Sequence, residues 1–296
     1  MALAKEQYPA ADRILPASAR SFLEDFQFGR WGIGAGRKIA QSLRSVQNPA
    51  QRKLWVRRRS LPLRNALLLN RPLTVFFGGI AVSLVPQGAV AAEIWIGLSG
   101  KKQQAAFLLS VLEPGMIFFD VGADAGLCAI PAAKKIGGRG VFAFEADPPA
   151  YDLLKRNVLL NRVGEVQAEK IALGDAARPE TPRSTTVDAY MKQHDVPRVD
   201  AMRVDSQGAE LFLFQGARNL LERADAPLIM YDCDGFLTRG FGYHPVEILW
   251  FLESCGYALY LLNRETGAIS ELKPDYQYDS MVVAAKPGSR AMAGVK

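Results

Sequence analysis

MIFFDVGADAGLCAIPAAKKIGGRGVFAFEAD, residues 116–147, reads as a complete strand–helix–strand unit. An apolar run at 116–121 predicts a buried strand, 122–126 a glycine-bearing turn, 127–136 a helix, and 140–144 a second strand closing on Glu145. A βαβ unit with an acidic residue at the tip of its second strand is the arrangement that holds an adenosine-containing cofactor.

Each residue type in this unit has a physical task. Gly122 and Gly126 stand where the chain must turn sharply, and neither carries a Cβ atom to keep a ligand from the backbone. The helix behind them presents free amide N–H groups and the positive end of its dipole. Pro131 falls within the first turns of that helix, where it removes few N–H groups that would be bonded anyway. Glu145 lies nineteen residues beyond Gly126, and a carboxylate there can accept hydrogen bonds from both ribose hydroxyls. The glycines are spaced G-x-x-x-G and not G-x-G-x-x-G, which weakens a dinucleotide reading, whereas a cofactor without a pyrophosphate has less need of the third glycine. The alternative is a doubly wound domain whose turn merely happens to be glycine-rich.

Toward the C-terminus, strand and helix keep alternating. Helices are expected at 148–161, 186–193, 209–223 and 245–255, and strands at 166–173, 201–204, 227–231, 257–263 and 280–286, with a turn at Glu265-Thr266-Gly267. Seven strands separated mostly by helices imply an α/β fold with a doubly wound, mostly parallel seven-stranded sheet. The ends of the first, second, fourth and fifth strands would line one edge, where ligands bind in such sheets. Glu145, Asp205, Asp232 and Asp234 all fall on that edge.

Toward the N-terminus, 101–112 predicts an amphipathic helix that stops at Glu113-Pro114-Gly115. Residues 72–92 are uncharged and long enough to span a bilayer. Gly78-Gly79, Pro86 and Gly88 interrupt the run, and 73–77 and 80–85 are rich in β-branched and aromatic residues. A β-hairpin followed by a short helix at 89–96 is therefore expected, with a transmembrane helix as the alternative. Residues 1–71 carry fourteen Lys/Arg against four Asp/Glu, a balance of +10, so the remainder carries −4 of the total of +6. Short helices are expected at 18–28, 37–46 and 50–59. Arg52, Lys53, Arg57, Arg58, Arg59 and Arg64, interleaved with Leu54, Trp55, Val56 and Leu61, form the strongest basic patch. It reads as a solvated helix face, or as a peripheral contact with an anionic membrane or acidic glycolipid; no motif supports nucleic acid. The chain thus divides into a basic, mostly helical extension (1–71), a hairpin and short helix on the substrate side (72–100), the cofactor-binding domain (101–288) and a tail (289–296).

Composition narrows the chemistry. With 49% hydrophobic and 22% charged residues, the chain has the make-up of a globular protein. Cys128, Cys233 and Cys255 stand far apart, suggesting neither disulfides nor a zinc site. Residues 2–19 contain no apolar signal-peptide core, and a cytoplasmic location is expected. His194 and His244 are the two histidines, and no cluster at ligand spacing points to a metal. The reactivity should come from an organic cofactor.

DVGADAG (120–126), FAFEADP (142–148), LKRNVLLN (154–161), IALGD (171–175), TTVDAY (185–190) and MRVDSQGAELFLFQGA (202–217) together resemble the FkbM-type S-adenosylmethionine-dependent methyltransferases, in order and spacing, over about residues 73–287. The resemblance implies the class I, Rossmann-like methyltransferase fold and S-adenosylmethionine as cofactor. It further implies methyl transfer to a hydroxyl oxygen of a sugar, a glycan or glycolipid, or another natural product. By the same resemblance, Asp120, Gly122 and Gly126 frame the methionine part of the cofactor, Glu145 binds the ribose, Ala172 lies near the adenine, and Asp205 sits near the sulfonium and the acceptor. Ala123, Asp124 and Ala146 are counted with the cofactor-binding residues. Departures from the family pattern fall at Gln207, where a glutamate is usual, at Asp124, where an asparagine is usual, and at Tyr231, Asp232, Cys233 and Asp234, where a glutamate commonly follows the fifth strand.

The reaction asks the protein for alignment of the acceptor oxygen and for a base. Asp205, Asp232, Asp234 and His244 are the candidates. Asp205 stands first because it is placed at a strand tip facing the turn, while His244 also fits a helix-start role before Pro245. Gln207 can hydrogen-bond but cannot take a proton at neutral pH. Two other classes stay open: a cofactor- or partner-binding member without transfer activity, and an NAD-dependent oxidoreductase.

Overall fold

The computed structural model describes residues 73–77, 79–84, 101–176, 184–263, 266–272 and 279–288. The basic patch at 52–64, the helices expected at 18–28, 37–46, 50–59 and 89–96, and the tail at 289–296 lie outside the described residues. The elements are, in chain order, β1 (Leu73–Phe77), β2 (Ile80–Leu84), α1 (Lys101–Val111), β3 (Phe118–Val121), α2 (Ala129–Ile136), β4 (Val141–Phe144), α3 (Pro148–Leu160), β5 (Gln167–Glu169), β6 (Ala172–Leu173), β7 (Ser184–Thr185) and α4 (Val187–Gln193). They continue as β8 (Ala201–Val204), α5 (Glu210–Gln215), α6 (Arg218–Leu221), β9 (Leu228–Asp234), α7 (Gly235–Arg239), α8 (Val246–Ser254), β10 (Ala258–Leu262), β11 (Ile269–Glu271) and β12 (Asp279–Ala285).

The central sheet runs β11-β10-β12-β9-β8-β3-β4-β5. β5, β4, β3, β8 and β9 pair in parallel, and β12 enters antiparallel between β9 and β10. The order reverses at β3 and β8, so the loops after these two strands open from one crevice. Successive residues on a strand point to opposite faces, and the core divides accordingly. Phe118, Val141, Met230 and Val283 pack beneath α1, α2 and α3, while Phe119, Phe142, Met202, Ile229 and Val282 pack against α4, α5 and α8. The result is the expected three-layer α/β fold.

Several details differ from the sequence expectation. The sheet has eight strands, because the chain turns at Gly267 and returns as the three-residue β11 on the edge of β10. The strand expected at 166–173 is two: β5 ends where the Glu169 carbonyl accepts from the Glu145 amide, and β6 leaves the sheet to pair with β7. β9 continues to Asp234, held there by β12 through the pair Asp279 and Asp234, so Asp232 and Asp234 lie within the strand and not beyond it. The helix expected at 209–223 breaks between Gln215 and Arg218. The break has a cause: the Gly216 carbonyl accepts from Asp188 N, and the Asp188 carboxylate accepts from Asn219 N and Leu220 N at the start of α6. The helix after the glycine turn starts at Ala129, two residues later than 127, with Pro131 inside its first turn as expected.

The hairpin forms as read, β1 pairing antiparallel with β2. Ile80 and Val82 join the core beneath α3. No helix among the described residues is long and apolar enough to cross a membrane.

Candidate active site

The site grows from the tips of β3, β4 and β8. Asp120 on β3 and Arg203 on β8 face each other in register, both buried in strands with every residue buried. Arg203 Nη1 donates to Asp120 Oδ1 at 2.9 Å and to the Gly122 carbonyl at 2.9 Å, and Nη2 donates to Asp205 Oδ2 at 2.5 Å. Burial works against the guanidinium charge, but Asp120 outweighs it with help from Asp205, and the pKa lies well above its ordinary value. Arg203 is thus permanently cationic, and among the described residues it joins two acidic side chains, Asp120 and Asp205. Asp120 Oδ2 is buried and has no hydrogen-bond partner among the described residues. A buried carboxylate oxygen without a donor is costly, so this atom fits a cationic or N–H ligand group.

The turn after β3 is shaped by close approach of backbones. Gly122 N and Ala123 N both donate to the Phe144 carbonyl at 3.0 Å, tying the turn to the tip of β4. Gly122 has φ 73°, and a Cβ there would collide with the Asp205 carbonyl oxygen. The sequence pattern assigns this glycine to ligand approach; the structure assigns it to the packing of the β3 and β8 tips. Asp124 also lies in the left-handed region, at φ 47°, which Asp and Asn tolerate better than most residues.

Glu145 stands at the end of β4 with both oxygens engaged: Oε2 accepts from Asp124 N at 2.9 Å and Oε1 from Asp147 N at 2.8 Å. Burial pushes its carboxyl up from the ordinary value, opposed by these two amides. Each oxygen keeps a further lone pair, so the carboxylate can take two more donors, which is what a vicinal diol offers. Ala123 is buried behind the turn, and Ala146 is exposed beside Glu145. Ala172 opens β6, off the main sheet, half-buried opposite Ser184.

The loop after β8 is held by Glu210, which is not among the candidates named from the sequence and whose one signal there is its place in the MRVDSQGAE run. Its Oε1 accepts from Ser206 N, Ser206 Oγ and Gly208 N at 3.1, 3.0 and 3.1 Å. Tyr243, buried and kept neutral by a pKa raised through burial and the nearby Glu210, donates to the Gly208 carbonyl at 2.7 Å. Gln207 is the exposed tip of this loop, at φ 55°.

The remaining base candidates separate. Asp205 is joined to the Asp120 cluster through Arg203. Asp232 is half-buried on β9, the strand next to β8. Asp234 Oδ1 accepts from Phe236 N and Leu237 N, so its carboxylate caps α7. His244 is exposed, its Nδ1 accepting from Val246 N at 3.3 Å and its amide donating to Glu247 Oε1, at the start of α8. It lines a 390 Å³ groove with Leu211, Gln215, Trp250 and Phe251. Arg203 is likewise not among the candidates named from the sequence; its signals there are its place where the family motif has a lysine, and a cation in the middle of a strand, AMRV, whose neighbours are all apolar.

Residues 120–259 match the family model described as the methyltransferase FkbM domain. A hexuronic acid methyltransferase, AglP, of Haloferax volcanii is 24% identical over 206 residues, covering 62% of this chain and 82% of that protein. A ribosomal protein L11 methyltransferase of Caldanaerobacter subterraneus is 38% identical over 61 residues, 21% of this chain and 19% of that one. Among solved structures, a precorrin-6y C5,15-methyltransferase of Geobacter metallireducens covers 63% of this chain and 88% of its own, with 18% identity and a TM-score of 0.40. Fold and family match define the class: this is an S-adenosylmethionine-dependent methyltransferase with the class I, Rossmann-like fold. Within that class, residues 120–259 correspond to the FkbM type.

Proposed function

We propose that the chain methylates a hydroxyl oxygen of a sugar, a glycan or glycolipid, or a related natural product. The observation that carries the reading is the Asp120–Arg203–Asp205 cluster beneath the glycine turn. Its two acidic side chains lie where a sulfonium and an amine would be drawn, and Asp120 Oδ2 awaits a donor there. In this reading Asp120, Gly122, Ala123, Asp124 and Gly126 surround the methionine part, and Glu145 takes the ribose hydroxyls beside Ala146. Ala172 lies toward the adenine. Bound S-adenosylmethionine supplies an electrophilic methyl group on a good leaving group.

The protein's own part is orientation and proton removal. Arg203 fixes the Asp205 carboxylate through the Nη2 hydrogen bond, in the orientation from which a carboxylate can accept the acceptor's hydroxyl proton. Asp232, on the neighbouring strand, is the second candidate. Asp234 and His244 are occupied with capping α7 and starting α8, which makes them positioning groups first. A carbohydrate acceptor is supported by the name of the Haloferax volcanii relative, a hexuronic acid methyltransferase.

The test is mass spectrometry of ligand carried through purification, followed by incubation with labelled S-adenosylmethionine and a panel of hexuronic acids, neutral sugars and glycolipids. Label appearing as an alkali-stable methyl ether supports the reading. Transfer to nitrogen or carbon acceptors alone would overturn it, and cofactor binding without transfer to any acceptor would favour the non-catalytic alternative.

A further inference from the structure

Two asparagines one helical turn apart, Asn157 on α3 and Asn161 at its C-cap, do something unusual: they act as a third strand for the hairpin. Asn157 Oδ1 accepts from Ser83 N at 2.7 Å while its Nδ2 donates to the Ser83 carbonyl at 3.2 Å. Asn161 Oδ1 accepts from Ala81 N at 3.0 Å while its Nδ2 donates to the Ala81 carbonyl at 2.6 Å. Residues at i and i+4 lie on one helix face, and residues at i and i+2 lie on one edge of a strand, so the two spacings match. The primary amide reproduces the donor and acceptor of a peptide group, and the pair satisfies the edge of β2 that β1 leaves open.

The two differ in one respect. Asn157 is fully buried, and its Nδ2 also donates to the Ala125 carbonyl at 2.9 Å, inside the glycine turn. One amide therefore holds both the hairpin and the turn, whereas Asn161 holds the hairpin alone, its third bond going to the Asn157 carbonyl within α3. The Ala125 carbonyl has little freedom of its own, because Gly126 N donates to the Ala123 carbonyl at 2.8 Å and closes a tight turn around it.

We propose that Asn157 is a positioning residue that couples docking of the β1–β2 hairpin to the shape of the glycine turn, so that cofactor occupancy and hairpin docking stabilise each other. Coupling of this kind is reciprocal: whatever the docked hairpin adds to cofactor affinity, bound cofactor returns to the hairpin. The inference rests on the proposal that the glycine turn holds S-adenosylmethionine.

The experiment compares Asn157→Ala, Asn161→Ala and Glu145→Ala proteins by calorimetric titration with S-adenosylhomocysteine, alongside hydrogen exchange of the unaltered chain with and without that ligand. Asn157→Ala should weaken binding about tenfold, the effect of one lost buried hydrogen bond, and Asn161→Ala by less than about twofold. Equal affinities for the two asparagine variants overturn the coupling. In the unaltered chain, saturating ligand should slow exchange at Ala81 and Ser83 several-fold, and unchanged exchange there overturns the proposal even where Asn157→Ala does not fold. Glu145→Ala separates the two levels. Its loss of affinity with Asn157→Ala unaffected condemns the coupling alone, and full affinity in the Glu145→Ala protein condemns the cofactor-site assignment beneath it.

Discussion

Arg203 and Asp120 sit directly opposite each other on adjacent parallel strands, their side chains joined at 2.9 Å where neither meets solvent. A buried ion pair of this kind contributes little net stability compared with apolar neighbours, yet removing one partner strands the other's charge. Arg203→Met should lower the unfolding free energy by about 3–5 kcal/mol in urea titrations at neutral pH. Arg203→Lys keeps the charge but not the fork that reaches Asp120, Gly122 and Asp205 together, so its loss of stability should be smaller while methyl transfer still falls.

Gly122 tolerates no side chain at all. Even Gly122→Ala places a Cβ against the Asp205 carbonyl oxygen at a positive φ, forcing the β3 and β8 tips apart. We expect a cost of about 2 kcal/mol or more and loss of measurable S-adenosylhomocysteine binding, read by thermal unfolding and calorimetry on the same sample. Gly126→Ala should be milder, since the atoms it meets are the ends of the Ile130 and Leu154 side chains.

Glu145 serves the protein and, in the proposed function, its ligand with the same two oxygens. Glu145→Gln replaces one of these acceptors by a donor, so one of the Asp124 and Asp147 amides loses its partner as well. Affinity for S-adenosylhomocysteine should fall about ten- to a hundredfold, while analogues lacking the ribose diol should lose little. Equal losses for both ligands would show that the carboxylate only shapes the turn.

Glu210 predicts a pH dependence. Burial raises its carboxyl above the ordinary 4.5, partly offset by the Gly208 amide and the Ser206 hydroxyl. A carboxyl whose folded pKa is raised contributes stability that is fully present below about 4.5 and is lost as pH rises through the folded value. The stability difference between the native chain and Glu210→Gln should therefore shift against the native chain as pH climbs from about 4 to 7. Paired urea titrations across that range check it; a flat difference would mean the donors around Oε1 cancel the burial.

Asp234 separates capping from catalysis. Asp234→Ser preserves an N-cap acceptor for Phe236 N and Leu237 N, and should cost less stability than Asp234→Ala, which should lose about 1 kcal/mol. Transfer activity retained in Asp234→Ser excludes this carboxylate as the base.

The layer architecture and the acidic strand tips were legible in the sequence because they rest on local signals: apolar strands of four residues, helices at 3.6 periodicity, a Gly-rich turn, and a Gly-Gly hairpin. The breaks were not. The helix at 209–223 carries no proline to stop it; it ends because Asp188, some thirty residues earlier, captures the amides of α6, a partnership invisible to local pattern. β6 leaves the sheet for a similar reason, its partner Ser184–Thr185 being a separate short segment. At the site, Asp120, Glu145 and Asp205 could be found as acids at strand ends. Arg203 and Glu210 needed the register between β3 and β8 and the curl of the loop after β8. Asn157 and Asn161 stood in the quoted LKRNVLLN run, but the edge they satisfy lies more than seventy residues away.

β12 bears on assembly as well as on architecture. β9 and β10 do not touch along their length; the space between them is filled by a strand that follows both in the chain and runs against them. Until it is in place, β9 offers its backbone groups to any passing strand, and β10 has a partner only in the three residues of β11. The half from β5 to β9 can settle from contacts already made, while the other half waits for a late arrival. Closure of that seam is therefore the step most exposed to intermolecular pairing, and the one at which crowding by other nascent chains would do most harm.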